Sequence, residues 1–111
     1  MDLIVFSYDK NDKINSIATF GYSNEDLSSD IEDEIYQQVM KDYAQKNNLR
    51  VDGHFLINEK NEPVKCFFLL RNDWWEEVVG DFGELLDRNN LSPEKTALVE
   101  KVYCYAMKFI D

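Results

Sequence analysis

The chain has 111 residues, of which 44% are hydrophobic and 14% aromatic, so we expect one domain, 1–111, with a core of its own. Its formal net charge of −10, from 22 acidic and 12 basic residues, argues against a nucleic-acid-binding protein and against binding to an anionic membrane. No secretory signal and no apolar run long enough to span a membrane can be read in the sequence, which predicts a cytoplasmic protein.

The first part of the chain predicts a β-hairpin followed by an amphipathic helix. Residues 2–8 and 14–22 are rich in β-branched and aromatic side chains and flank a polar turn, as hairpin strands do. Ser28 or Ser29 can cap the helix, which we expect to run to about Asn47, with acids in its first turns where the helix dipole favours them. The apolar stripe of this helix comprises Ile31, Ile35, Val39 and Tyr43, with Tyr36, Met40 and Ala44 beside it.

Residues 49–57 and 63–71 predict a second hairpin closed by a polar turn. Alternation gives each strand one apolar face and one mixed face. The apolar face of the first strand is predicted to hold Leu49, Val51, Phe55 and Ile57. The mixed face of the hairpin carries Arg50, Asp52, His54, Lys65 and Arg71.

Two helices are predicted to complete the chain. The first contains the stretch DWWEEVVGDFGELLD at 73–87, with Asn72 or Asp73 as its cap, and the second begins with Ser92 as N-cap and Pro93 at its first position. The predicted order is therefore β-β-α-β-β-α-α. This order predicts an α+β fold, an antiparallel β-sheet built from two hairpins with three helices on one of its faces.

At 100° per residue, the 73–87 helix divides into an apolar arc and an acidic arc. Its like-charge pairs Asp73–Glu77 and Glu77–Asp81 each destabilise the helix by a few tenths of a kcal/mol. Gly80 and Gly83 each cost up to roughly 1 kcal/mol relative to alanine, and they mark either a helix break or a close approach to a neighbouring element. The apolar arc holds Trp74, Trp75, Val78, Val79, Phe82, Leu85 and Leu86, and the acidic arc holds Asp73, Glu76, Glu77, Asp81, Glu84 and Asp87.

The acidic surface is the main functional signal, and it favours a basic protein partner. A second acidic window, without Lys or Arg, lies between Lys13 and Lys41, although solubility and the helix dipole account for part of it. Trp75 is expected in the core, whereas Trp74 at the edge of the apolar arc is either half-buried or an interface anchor. The second window contains Glu25, Asp26, Asp30, Glu32, Asp33 and Glu34. The predicted partner-binding residues are Trp74, Glu77, Asp81, Glu84, Asp30, Asp33 and Glu34.

No catalytic residue, metal site or cofactor is predicted. His54 lacks a nearby nucleophile and is expected to be a histidine on the surface of a strand. No glycine-rich phosphate loop precedes a helix, and acids at a helix start need no metal to explain them. Cys66 and Cys104 lie in apolar patterns and are expected to be reduced core thiols.

In size, charge, aromatic content and order of elements, the chain resembles the immunity proteins of contact-dependent growth inhibition and related bacteriocin systems. The resemblance implies a cytoplasmic inhibitor that occludes the basic active site of a cognate toxin, such as a nuclease. One alternative is a phage-type nucleic-acid mimic, an anti-CRISPR or anti-restriction protein. Others are a small ligand-binding domain or enzyme that uses the mixed sheet face, and a regulatory subunit. The oligomeric state is left open by the sequence.

Overall fold

The computed structural model describes residues 2–11, 13–21, 29–88 and 90–110, which form five strands and three helices. The strands are β1 (Asp2–Asp9), β2 (Ile14–Gly21), β3 (Arg50–Asp52), β4 (Phe55–Ile57) and β5 (Pro63–Arg71). The helices are α1 (Ser29–Lys46), α2 (Trp75–Arg88) and α3 (Pro93–Met107). The predicted α+β class and the order of strands and helices are confirmed. The Ser28 alternative for the cap of α1 lies outside the described residues.

All neighbouring strands are antiparallel, in the order β2-β1-β5-β4-β3, and pairing of β1 with β5 joins the two hairpins. The prediction of a single strand at 49–57 is wrong. Gly53 has φ of +63°, and Asp52 pairs with Phe55, so Gly53 and His54 form a two-residue turn that reverses the chain. Because of this reversal, Leu49 and Val51 face one side of the sheet, whereas Phe55 and Ile57 face the other.

Helices cover both faces of the sheet, which corrects the prediction that all three lie on one face. The physical reason is that β5 carries large apolar side chains on both sides, Phe68 and Leu70 on one and Phe67 on the other, so each face must be covered. On one face, α1 packs over a core of Val5, Tyr36, Met40, Ala44, Leu56 and Phe67. On the other face, α2 and α3 pack over a core that includes Phe55, Ile57, Cys66, Phe68, Leu70, Val78, Phe82, Leu98, Val99, Val102 and Ala106.

The predicted cap of α3 is confirmed, whereas two side chains that were predicted to be buried, Ile31 and Cys104, are exposed. The Ser92 hydroxyl accepts a hydrogen bond of 3.3 Å from the backbone N–H of Lys95, which confirms the predicted cap of α3. Ile31, predicted in the apolar stripe of α1, is 42% exposed, because the buried side of that helix is the one that carries Tyr36 and Met40. The two cysteines are free; Cys66 is buried as expected, whereas Cys104 is exposed, so its assignment to the core is wrong.

Candidate functional site

The candidate site lies where one edge of the sheet is open. β1 pairs with one edge of β5, whereas β4 pairs with the other edge only at residues 63–66. Among the described strands, none pairs with that second edge of β5 at residues 68–71. The turn between β3 and β4 is fixed there by a hydrogen bond of 2.7 Å from the N–H of Phe67 to the carbonyl of His54. Around this open edge, α1 and α2 border a cavity of about 360 Å³, the α1–α2 cleft. Its lining comprises Glu32, Asp33, Tyr36 and Gln37 of α1, Glu77, Val78, Asp81 and Phe82 of α2, and His54, Leu69 and Arg71.

Arg71, at the end of β5, links the two walls of the α1–α2 cleft. Its Nη1 donates a hydrogen bond of 3.1 Å to Oε1 of Glu32 on α1, and its Nη2 donates to Oε2 of Glu77 on α2. The Trp74 ring centroid lies 5.5 Å from the guanidinium carbon. Glu32 is only 4% exposed, so the ion pair compensates a buried charge. The acidic arc of α2 is therefore partly neutralised by a base from outside the helix.

His54 and Tyr36 form a hydrogen-bonded pair in the α1–α2 cleft, and the prediction that His54 is a surface strand histidine is wrong. His54 lies in the turn, half-buried, and its Nδ1 shares a hydrogen bond of 2.9 Å with the Tyr36 hydroxyl. Its ring centroid is 5.5 Å from that of Phe82. Burial lowers the pKa of His54 against the opposing charge of Asp33, so the imidazole is neutral near pH 7. Burial also raises the pKa of Tyr36 well above its usual value, which keeps the hydroxyl protonated.

Asp33 and Asp81 add one carboxylate from each helix. The salt bridges between described residues include neither of them. Burial raises the pKa of Asp81, as do the neighbouring charges of Glu77 and Glu84, while Arg71 opposes the shift. A carboxylate with a raised pKa is in an environment that disfavours its negative charge, so an approaching cation would relieve an existing electrostatic cost.

The six acids among the predicted partner-binding residues divide into two groups. Glu77, Asp81 and Asp33 line the α1–α2 cleft, which unites acids from the two sequence windows. The other acids, Asp30, Glu34 and Glu84, are exposed on the same two helices outside the lining of the cleft. Glu25 and Asp26 of the second window lie outside the described residues.

The two tryptophans have different environments. Trp75 packs against the core under α2 and α3, as predicted, and its ring stacks on Phe109 with centroids 4.3 Å apart. Trp74 precedes the helix and is 51% exposed, so it lies outside the apolar arc in which it was predicted. Asn72 and Asp73 have φ of 52° and 59° and form a left-handed turn before Trp74, so neither is the helix cap and Asp73–Glu77 is not an intrahelical pair.

The two glycines of α2 do not break the helix, which is continuous at Trp75–Arg88. A Cβ atom on Gly83 would lie 3.4 Å from the ring of Tyr103 on α3, which supports the close-approach explanation for this position. A Cβ on Gly80 would meet nothing within 4 Å. At position 80, therefore, none of the described residues excludes a larger side chain at the Cβ atom.

The link through Arg71, its partner Glu32 and the Tyr36–His54 pair were not predicted from the sequence. Gly53 could have indicated the turn within the segment 49–57 that was predicted as one strand, because a two-residue loop beginning with glycine is typical of a hairpin turn. That turn would have placed His54 at the end of the sheet. No comparable signal pairs Glu32 with Arg71, since 39 positions separate them.

Comparisons with protein-family models, curated proteins and solved structures found no match for this chain. Among the described residues, no group of three or more His, Cys, Asp or Glu side chains is arranged so that it could hold a metal ion. In the same residues, none of the helices has the length and apolar character needed to cross a membrane.

Proposed function

We propose that the protein is a cytoplasmic acidic inhibitor that binds a basic protein partner, and that it acts as an immunity protein toward a cognate toxin such as a nuclease. The α1–α2 cleft and the acids around it would cover the basic active site of that toxin. Charge attraction would speed the encounter, and exposed Trp74 would add apolar contact area at the rim.

The observation that carries this proposal is the convergence of two acidic windows on one concave surface. Asp33 and Asp81 are 48 positions apart in sequence, and they line the same cleft from two helices. Their charges raise the local negative potential, while Glu84 and the neighbouring Glu77 oppose ionisation of Asp81. Electrostatic repulsion of this kind lowers the stability of the isolated protein, and binding of a positive surface would offset it.

The test is binding and inhibition of the toxin-like protein encoded beside the gene, with purified basic nuclease domains as further candidates. The variant is Asp33→Asn/Asp81→Asn/Glu84→Gln, which removes three negative charges in and beside the cleft. We expect its association rate to fall by about tenfold or more at low ionic strength, and the difference to shrink as salt screens the charges.

A matched control removes three charges elsewhere on the surface, from Asp42, Glu59 and Glu100, which are exposed and do not line the cleft. Asp42→Asn/Glu59→Gln/Glu100→Gln should associate at nearly the rate of the unmodified protein. Equal association rates and affinities for both triple variants would refute the proposal. Binding to a nucleic-acid-processing nuclease of a defence system, with no binding to any toxin, would favour the nucleic-acid mimic instead.

A further inference from the structure

We infer that the α1–α2 cleft is a receptor for one guanidinium group, the side chain of an arginine that the partner inserts between α1 and α2. This inference rests on the proposed function and names the chemistry by which the partner would be recognised. The cavity of about 360 Å³ lies at the small end of the range for ligand pockets, which suits a single side chain.

The α1–α2 cleft already holds one guanidinium group in this manner. Arg71 is bound by a carboxylate from α1, a carboxylate from α2 and the ring of Trp74. The two helices therefore stand at a separation that a guanidinium can bridge, because its donors point outward along different edges of one plane. The chain's own arginine thus provides an internal precedent for the ligand.

A second pair of carboxylates remains for an incoming cation. Asp33 and Asp81 again come from α1 and α2, and they line the same cavity. All 12 Lys and Arg residues of the chain are among the described residues, and none forms a salt bridge with Asp33 or Asp81. The Lys and Arg side chains therefore leave this second pair open to a cation from another molecule.

The rest of the lining favours a guanidinium over an ammonium group. The half-buried His54 ring, which lies in the lining of the cleft, offers aromatic surface on which a planar cation can stack. The neutral imidazole and the protonated Tyr36 hydroxyl add hydrogen-bonding atoms without adding positive charge. An ammonium group is more strongly hydrated, so it would lose more on entering a half-buried site and could not use the stacking surface as well.

The test is titration of the whole protein with three small probes followed by NMR. The probes are N-acetyl-arginine amide, N-acetyl-lysine amide and N-acetyl-citrulline amide, the last of which keeps the shape of arginine without its charge. His54 is the only histidine, so its ring protons give an unambiguous signal from inside the cleft. We expect saturable shifts of this signal with the arginine probe in the millimolar range, at least severalfold weaker binding of lysine, and no saturable shift with citrulline.

Variants identify the site. Asp33→Asn and Asp81→Asn should each weaken binding of the arginine probe by about tenfold, the effect of losing one charge-assisted contact. The controls Asp42→Asn and Asp87→Asn remove the same charge from exposed positions of the same helices outside the lining of the cleft, and should change the affinity by less than about twofold. Circular dichroism of each variant establishes that the helices are retained.

Three outcomes would overturn the inference: equal binding of citrulline and arginine, unchanged affinity in Asp33→Asn and Asp81→Asn, or no saturable shift with any probe. Failure here is distinguishable from failure of the proposed function. If the arginine probe does not bind while the triple variant still loses affinity for the toxin, only the guanidinium receptor is refuted. If the probe binds while no basic protein does, the site is a receptor for a free guanidinium compound and the inhibitor proposal fails.

Discussion

Replacing Asp81 by asparagine should stabilise the isolated protein even though it weakens the proposed binding. Asp81 lies four residues after Glu77 and three before Glu84 on α2, and both charges raise its pKa together with burial. Each like-charge neighbour at these spacings destabilises a helix by about 0.2–0.5 kcal/mol, so their removal should return about 0.4–1 kcal/mol. Asparagine and aspartate have similar helix propensities, so that term nearly cancels.

The pH dependence of this gain has a defined sign. The pKa of Asp81 is higher in the folded protein than its usual value of 3.8, so the folded state binds this proton more tightly than the unfolded state. The penalty from Asp81 is therefore absent below the usual pKa and develops as the pH rises through the folded pKa. The advantage of Asp81→Asn should be largest near pH 7 and should vanish as the pH falls toward 3.8.

Urea denaturation of both proteins, near pH 7 and at acidic pH, measures this difference in the free energy of unfolding. The expected gain corresponds to a rise in melting temperature of about 2–6 °C in a domain of this size. Asp30→Asn is the matched control, since Asp30 lies in the first turn of α1, where the dipole favours its charge, and its loss should destabilise by a few tenths of a kcal/mol. A variant Asp81→Asn that is less stable near pH 7, or whose gain persists at acidic pH, would refute the reasoning.

Three further predictions concern the glycines, the arginine link and the histidine. Gly80→Ala should raise the free energy of unfolding by about 0.5–1 kcal/mol, because alanine favours a helix and its Cβ would meet nothing within 4 Å. Gly83→Ala should raise the free energy of unfolding by less, since its Cβ would contact the Tyr103 ring. Thermal denaturation of both variants measures the difference. Arg71→Met should lower the free energy of unfolding by about 2–3 kcal/mol, because it leaves Glu32 buried without its cation, an effect that solvent partly moderates. In urea denaturation, adding Glu32→Gln to Arg71→Met should restore most of the lost stability. An unchanged stability of Arg71→Met would contradict this role of Arg71. Because burial lowers the pKa of His54, stability should fall as the pH drops below 6.5, and His54→Gln should remove that part of the slope; identical slopes in a pH series of denaturation curves would exclude the effect.

Elements with a strong local pattern could be predicted from the sequence. The two-faced character of α2 needs only the period of a helix, and Val78 and Phe82 are buried while Glu76 and Glu84 are exposed, as expected. Ser92 followed by Pro93 likewise marks the start of α3 by local chemistry alone. Such features depend on residues that are close in the chain.

The α1–α2 cleft could not be predicted in the same way, because it depends on which face of the sheet each helix covers. Both faces of β5 carry buried apolar side chains, such as Phe68 on one and Phe67 on the other, and no local pattern assigns α1 to one face and α2 to the other. The hydrogen bonds from Arg71 to Glu32 and Glu77 also require an open edge of β5 at Arg71. That edge is open because the chain reverses at Gly53, so β4 does not extend along it. The two acidic windows could be read in the sequence, but the meeting of Asp33 and Asp81 in one cavity depends on the tertiary arrangement.

The placement of the two walls in different layers of the fold has a consequence for local unfolding. Glu32 and Asp33 belong to the layer that covers one face of the sheet, and Glu77 and Asp81 belong to the layer on the other face. Any fluctuation that lifts α1 from the sheet would take away one wall and release whatever occupied the cleft. An occupant would therefore raise the free energy of that opening, and slower amide hydrogen exchange in α1 would report on a ligand whose other contacts are on α2.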